Sequence, residues 1–352
     1  MLRQYLLIGI AILCCGLAPG QVSAQAYTIN DHGKDCAREI GPIPPFSCLD
    51  GEIIPITRDG APISDNAHVP HQKCDRPPLL GLGGSDGQCV PFSRLGTLPG
   101  KTASGQDDPN LQWTFICRRY RVRTDKNYPL FEDVAVIGHN KASGATCFFQ
   151  TLSSGTSDGI KATRVPPPAE DALATPPGEI KAADFWLSPQ DTANIKCNKC
   201  HDNDAFIHTP HVSQVRRMVG GQSVEVVPPG PNLKANPPEP SRYKFIGQPF
   251  EQDWPAPKRI RPLGNLCTSC HNIGTLDSCN RFTKLATGRT LPTNISDLGK
   301  TFPHSHWMPP DNASTGITLA QWKALYDASV DKILACCAAP GTLSCKMQGF
   351  DH

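Results

Sequence analysis

The chain has few aromatic residues, almost no net charge and, beyond its first segment, no long apolar run. Of its 352 residues only 7% are aromatic and 39% are hydrophobic, which leaves little material for burying a core by side chains alone. A formal charge of +2 excludes the basic footprint of a nucleic-acid binder, and there is no acidic tail. The glycine fingerprint of dinucleotide folds, the phosphate-binding P-loop and the zinc-hydrolase motif are all missing. What the chain has in quantity is proline, 35 residues, and cysteine, 16. Loops and covalent links therefore stand where apolar packing is thin.

The one apolar run opens the chain. In "MLRQYLLIGIAILCCGLAPGQVSAQA", Arg3 precedes an apolar stretch from Tyr5 to Leu17, and Val22-Ser23-Ala24 supplies small residues. This is the pattern of a secretory signal peptide over residues 1–24, cut after Ala24 or Ala26. An anchor helix would need ~20 apolar residues, and the run falls short of that. Lipoprotein processing at Cys14 or Cys15 would want a small residue ahead of the cysteine, and Leu13 and Cys14 stand there instead. The expectation is an exported protein, periplasmic or extracellular, that meets a membrane only through a partner.

Cys14 and Cys15 leave with the leader. Two Cys-x-x-Cys pairs, Cys197 with Cys200 and Cys267 with Cys270, account for four more. Cys36, Cys48, Cys74, Cys89, Cys117, Cys147, Cys279, Cys336, Cys337 and Cys345 remain, an even set that an oxidising compartment would join into up to about five disulfides. Connectivity does not follow from spacing. Near neighbours are the expected pairs in the N-terminal half, with Cys279 joining the Cys336, Cys337 and Cys345 cluster.

The fold class expected is α+β: a β-rich, disulfide-stapled domain over residues 27–162, then a mainly helical, loop-rich domain over 185–352. In "QWTFICRRYRVR", Trp113, Phe115 and Cys117 alternate with Thr114, Ile116 and Arg118, the period of a half-buried strand. "EDVAVIGHN" and "GATCFFQTL" read as further strands between Gly and Asn turns. His32, His68, His71 and His139 show no metal-ligand spacing and are expected at the surface. A proline-rich linker spans residues 163–184. Beyond it Ser188, Pro189 and Asp191 form a helix start. The last helix opens on a capping box of Thr318 and Gln321, with Leu319, Trp322, Tyr326, Val330 and Ile333 along one face.

Three chemistries use Cys-x-x-Cys. A redox pair needs a βαβ setting, and these pairs sit among prolines. A zinc site needs two pairs close in sequence, whereas these are far apart. Covalent haem attachment requires a histidine directly after the second cysteine. "CNKCH" supplies His201 and "CTSCH" supplies His271. The spacing is geometric: two thiols one turn apart reach the vinyl carbons along one edge of the macrocycle, and the next residue falls under the iron.

On these motifs the chain resembles the bacterial dihaem and multihaem c-type cytochromes. From Gly264 onward, "CTSCH", then "WMPP" at 307–310, then the last helix, the order resembles a class I cytochrome c domain. The resemblance implies two haem c groups. Cys197, Cys200, Cys267 and Cys270 would attach them covalently, and His201 and His271 would be the proximal iron ligands. Met308 would be the distal ligand of the second haem, with His304 and His306 beside it as alternatives. The first unit departs from that layout. Met218 has no following proline, and its helical spacing with Val212 and Val215 assigns it to a core. His208 and His211 are then the distal candidates, for the first iron or shared with the second.

The resulting expectation is an electron carrier that passes single electrons between other redox proteins. The alternative is a haem enzyme, such as a dihaem peroxidase or oxidase, with one open iron site. For the N-terminal domain, a docking module and a cover for a haem edge are both open.

Overall fold

A computed structural model describes residues 26–58, 61–63, 89–153, 158–287, 289 and 318–350. The leader, His68, His71, Cys74, His304, His306 and Met308 lie outside the described residues. In chain order come helix α1 (Ile29–Ile40) and strands β1 (Glu52–Ile53), β2 (Arg94–Leu98), β3 (Leu111–Arg118), β4 (Asp133–Asn140) and β5 (Ala145–Leu152). Helix α2 (Pro189–Asn194), strands β6 (Arg216–Val219), β7 (Gln222–Glu225) and β8 (Lys244–Phe245), and helix α3 (Gln248–Asp253) follow. Strand β9 (Lys258–Pro262), helix α4 (Leu319–Ala338) and strand β10 (Cys345–Gly349) come last, with shorter helical turns and two-residue strands between these elements.

The centre is a six-stranded sheet in the order β1-β2-β3-β4-β5-β8. Neighbours are antiparallel except the last pair, in which β8 runs parallel to β5. The alternation read in β3 is observed: Trp113, Phe115 and Cys117 enter one core with Val134, Val136, Cys147 and Phe149. Helix α1 covers that face, nailed to it by the disulfide Cys36–Cys147. Gly138 on β4 is required there, because a Cβ would lie 2.2 Å from the Trp113 ring opposite.

The other face carries Leu95 and Phe148, joined by Ile116 and Ile137, and it packs against Ala205, Phe206, Tyr243, Phe245, Phe250 and Trp254. Those partners come from the chain between the two Cys-x-x-Cys pairs. The sheet is thus a middle layer, with α1 on one side and the first motif's unit on the other. Residues 163–184, expected as a linker, join the first core. Val165 pairs with Phe46, Ala182 is buried, and Trp186 just beyond donates from Nε1 to the Pro166 carbonyl at 2.9 Å.

A third, small cluster consists of Ile260, Cys279, Ile333, Cys336 and Cys345, where α4 and the β9–β10 pair meet. Disulfides Cys279–Cys337 and Cys336–Cys345 hold it, the grouping expected from sequence. Both helix starts are also as read: Ser188 Oγ accepts from Asp191 N, and Thr318 and Gln321 form the capping box of α4. Mixed α and β content with disulfide staples is therefore the observed class.

Three expectations are corrected. Two N-terminal disulfides, Cys36–Cys147 and Cys48–Cys117, span 111 and 69 residues rather than joining near neighbours. They tie α1 and the segment after it to central strands, contacts that topology creates and spacing does not reveal. His32 and His139 are buried, not superficial. His32 stacks between Phe149 and Phe250, and His139 bonds through Nδ1 with Thr146 Oγ1 at 2.9 Å. Met218 is 68% exposed on β6, because residues 216–225 form a hairpin around Gly220 and Gly221 rather than continuing a helix.

Candidate functional site

Both Cys-x-x-Cys-His segments fold as the same single turn. A 3₁₀ turn at Cys197–Lys199 lets Cys200 N and His201 N donate to the Cys197 carbonyl, at 3.2 and 2.9 Å. At Cys267–Ser269 the equivalent bonds to the Cys267 carbonyl are 3.1 Å from Cys270 N and 2.9 Å from His271 N. Their entries differ. Lys196 enters the first turn in the left-handed region, φ 61°, without a side-chain cap. The second is capped by Asn265, whose Oδ1 accepts from Cys267 N at 3.0 Å and Thr268 N at 3.2 Å.

These four cysteines carry free thiols, whereas every other cysteine among the described residues is disulfide-bonded. Their chemistry narrows what the turns can be. Burial pushes the Cys197 thiol up to about 11, and burial with the Asp277 carboxylate 3.7 Å away pushes Cys200 up to about 12. An activated redox nucleophile needs the opposite shift from that of Cys197 and Cys200. Among the described residues no group of three or more His, Cys, Asp or Glu gathers in metal-binding range.

His201 is arranged as a metal-ligating imidazole is. Its Nδ1 donates to the Ala205 carbonyl at 2.9 Å, and desolvation lowers the ring to about 4, so it is neutral with a lone pair left on Nε2. The Tyr243 hydroxyl donates to the His201 carbonyl at 2.8 Å, and Phe148 from the sheet meets its ring edge-on at 5.8 Å. His271 is exposed, and the side chain of the residue after it is held by three bonds. Arg259 Nη1 and Arg261 Nη2 each donate to Asn272 Oδ1 at 3.1 Å, and Asn272 Nδ2 donates to Ser241 Oγ at 2.5 Å.

The two turns open onto one cavity of about 410 Å³, in the ~300–1,000 Å³ range of cofactor sites. Cys200, Asn203 and His208 line it from the first unit, and Cys270, His271 and Asn272 from the second. Phe206, Ile207 and Phe282 supply apolar wall. His208 Nε2 donates to the Pro228 carbonyl at 3.2 Å, while Nδ1 lies 3.3 Å from Glu225 Oε2 and 3.5 Å from Ser213 Oγ. His211 is buried on the short helix that Thr209 caps.

The donor set fits haem c: paired free thiols one turn apart, an imidazole next in sequence, and an apolar-walled cavity beside them. Sequence reasoning missed Asp202 and Asn203, which link the two units, since their partners lie some 70 residues along the chain. It also missed the sheet's part in the site, through Phe148. No family model, curated protein or solved structure matches the chain. The disulfides fit a non-cytosolic, oxidising compartment, and no helix among the described residues is long and apolar enough to cross a membrane.

Proposed function

We propose that the chain is an exported dihaem c-type cytochrome that carries single electrons between redox partners. One observation carries the reading. In a protein whose other described cysteines are all oxidised, the four left as thiols are those of two Cys-x-x-Cys-His turns beside one cavity. Cys197 and Cys200 would hold one group with His201 as proximal ligand, and Cys267 and Cys270 the other with His271. Haem c, when bound, supplies a one-electron iron couple whose potential depends on axial ligation and burial.

The chain's own part is to hold and shield. Ala205 and Tyr243 fix the orientation of His201, and Phe148 keeps water from its ring edge. Met308 is the proposed distal ligand of the second haem, with His304 and His306 as alternatives; His208 and His211 are the proposed distal ligands on the first side. The N-terminal sheet then serves as the floor of the first site. Protein matured in a host that attaches haem c should give a pyridine haemochrome of two haems per chain. Both should cycle reversibly by one electron each in a redox titration. A spectrum without haem c, or a chain that binds none, would overturn the reading.

One observation favours a second reading, a haem enzyme with one open iron site. Both ring nitrogens of His208 already face protein partners, so ligation would require Nε2 to leave the Pro228 carbonyl. A high-spin signal from one iron, with rapid peroxide turnover lost on His201→Ala and kept on Met308→Ala, would select the enzyme.

A further inference from the structure

The segments that follow the two turns are bonded directly to each other. Asp202, next after His201, is 3% exposed. Its carboxylate accepts from Leu276 N at 2.6 Å and from the Ser278 hydroxyl. Asn203 Nδ2 donates to the carbonyl of Asn272, next after His271, at 2.6 Å. Gly274 lets the strands of this clamp approach: a Cβ there would lie 2.2 Å from Asp202 Cγ. A buried carboxylate is stable only while its partners stay in place, so this clamp admits one arrangement.

We propose that Asp202 is a positioning residue that fixes His201 and His271 relative to each other, so that the two iron centres behave as one coupled pair. The inference rests on the dihaem reading above. Asp202 works through residues 274–278, by Leu276 N and the Ser278 hydroxyl, while Asn203 beside it holds the Asn272 carbonyl next to His271. Charge on one centre would then act on the other across a fixed distance and add to the gap in midpoint potential that axial ligation and burial create.

The test uses the full-length matured protein and compares wild type with Asp202→Asn and Gly274→Ala. Asparagine keeps the size but cannot offer both acceptor oxygens. Alanine at 274 keeps the carboxylate and forces the loop away from it. Both variants should retain two haems and unchanged absorption bands. Their oxidised electron paramagnetic resonance spectra should change from spin-coupled to two independent low-spin signals, with a narrower gap between the midpoint potentials. Ser278→Ala, which removes one bond, should lie between, and it serves as the readout should the other two fail to mature. Two haems with coupling unchanged in the variants, or uncoupled already in wild type, would overturn the positioning role, even with stability lowered. Fewer than two haems in wild type would instead overturn the dihaem reading beneath it.

Discussion

The turns at Cys197–His201 and Cys267–His271 close with the same two backbone bonds, yet the first rests on an aromatic core and the second on a cluster in which three of five buried residues are cysteines. An aromatic-poor chain has concentrated its rings around one site: Phe148 and Trp254 each lie 4.9 to 6.3 Å from Phe245, from Phe250 and from each other. At the other site, disulfides substitute for the missing apolar area. One turn geometry can thus be held by burial or by cross-linking, and the two supports should fail differently.

The largest effect should come from the cross-linked unit. Cys279→Ala with Cys337→Ala opens a link across 58 residues, and chain entropy puts the loss at about 4 kcal/mol. Limited proteolysis should then cut within residues 258–350 while the sheet survives. Equal resistance to wild type would show that the small cluster holds without its staple. On the other side, Phe148→Ala should cost about 3 kcal/mol, the lower end for a buried aromatic. Urea unfolding would report it, together with a perturbed spectrum of the first haem alone.

Much of this contrast was legible in the sequence. Period-two alternation located β3, bounding Gly and Asn turn residues located β4 and β5, capping chemistry located α2 and α4, and the cysteine-histidine spacing located both turns. These are local rules, and local geometry obeys them. What was not legible depends on chain segments far apart. The pairing of Cys36 with Cys147, the burial of His32 against Phe250, and the Asp202–Ser278 bond arise when the sheet brings distant segments together, and no periodicity encodes them. Met218 shows a local rule misapplied, since a spacing of three over so few residues cannot tell a helix from a hairpin ended by two glycines.

A pH dependence of stability is expected on the sheet side. Burial lowers both His32 and His139 to about 4 from the ordinary 6.5. Each is neutral when folded and takes a proton on unfolding below pH 6.5, so stability is full above that value and is lost as pH falls towards 4. Between pH 7 and pH 5 the loss should be about 2 kcal/mol per histidine. His32→Gln should flatten the urea-midpoint profile over that interval; an unchanged slope would contradict the assignment. The smallest effects concern the entries to the turns. Asn265→Ala should cost about 1 kcal/mol by removing the cap of the second turn, whereas Lys196→Gly should stabilise the first by about 0.5–1 kcal/mol by relieving its left-handed backbone. Differential scanning calorimetry would resolve the opposite signs.

The most direct measurement is the intact mass of the denatured full-length protein, produced where haem c is attached. The account predicts a polypeptide carrying two covalent haems. Cys197→Ser with Cys200→Ser should lose one of them, Cys267→Ser with Cys270→Ser the other, and all four substitutions both. A mass equal to the bare chain, with those four cysteines alkylated as thiols or joined as two short-range disulfides, would contradict it.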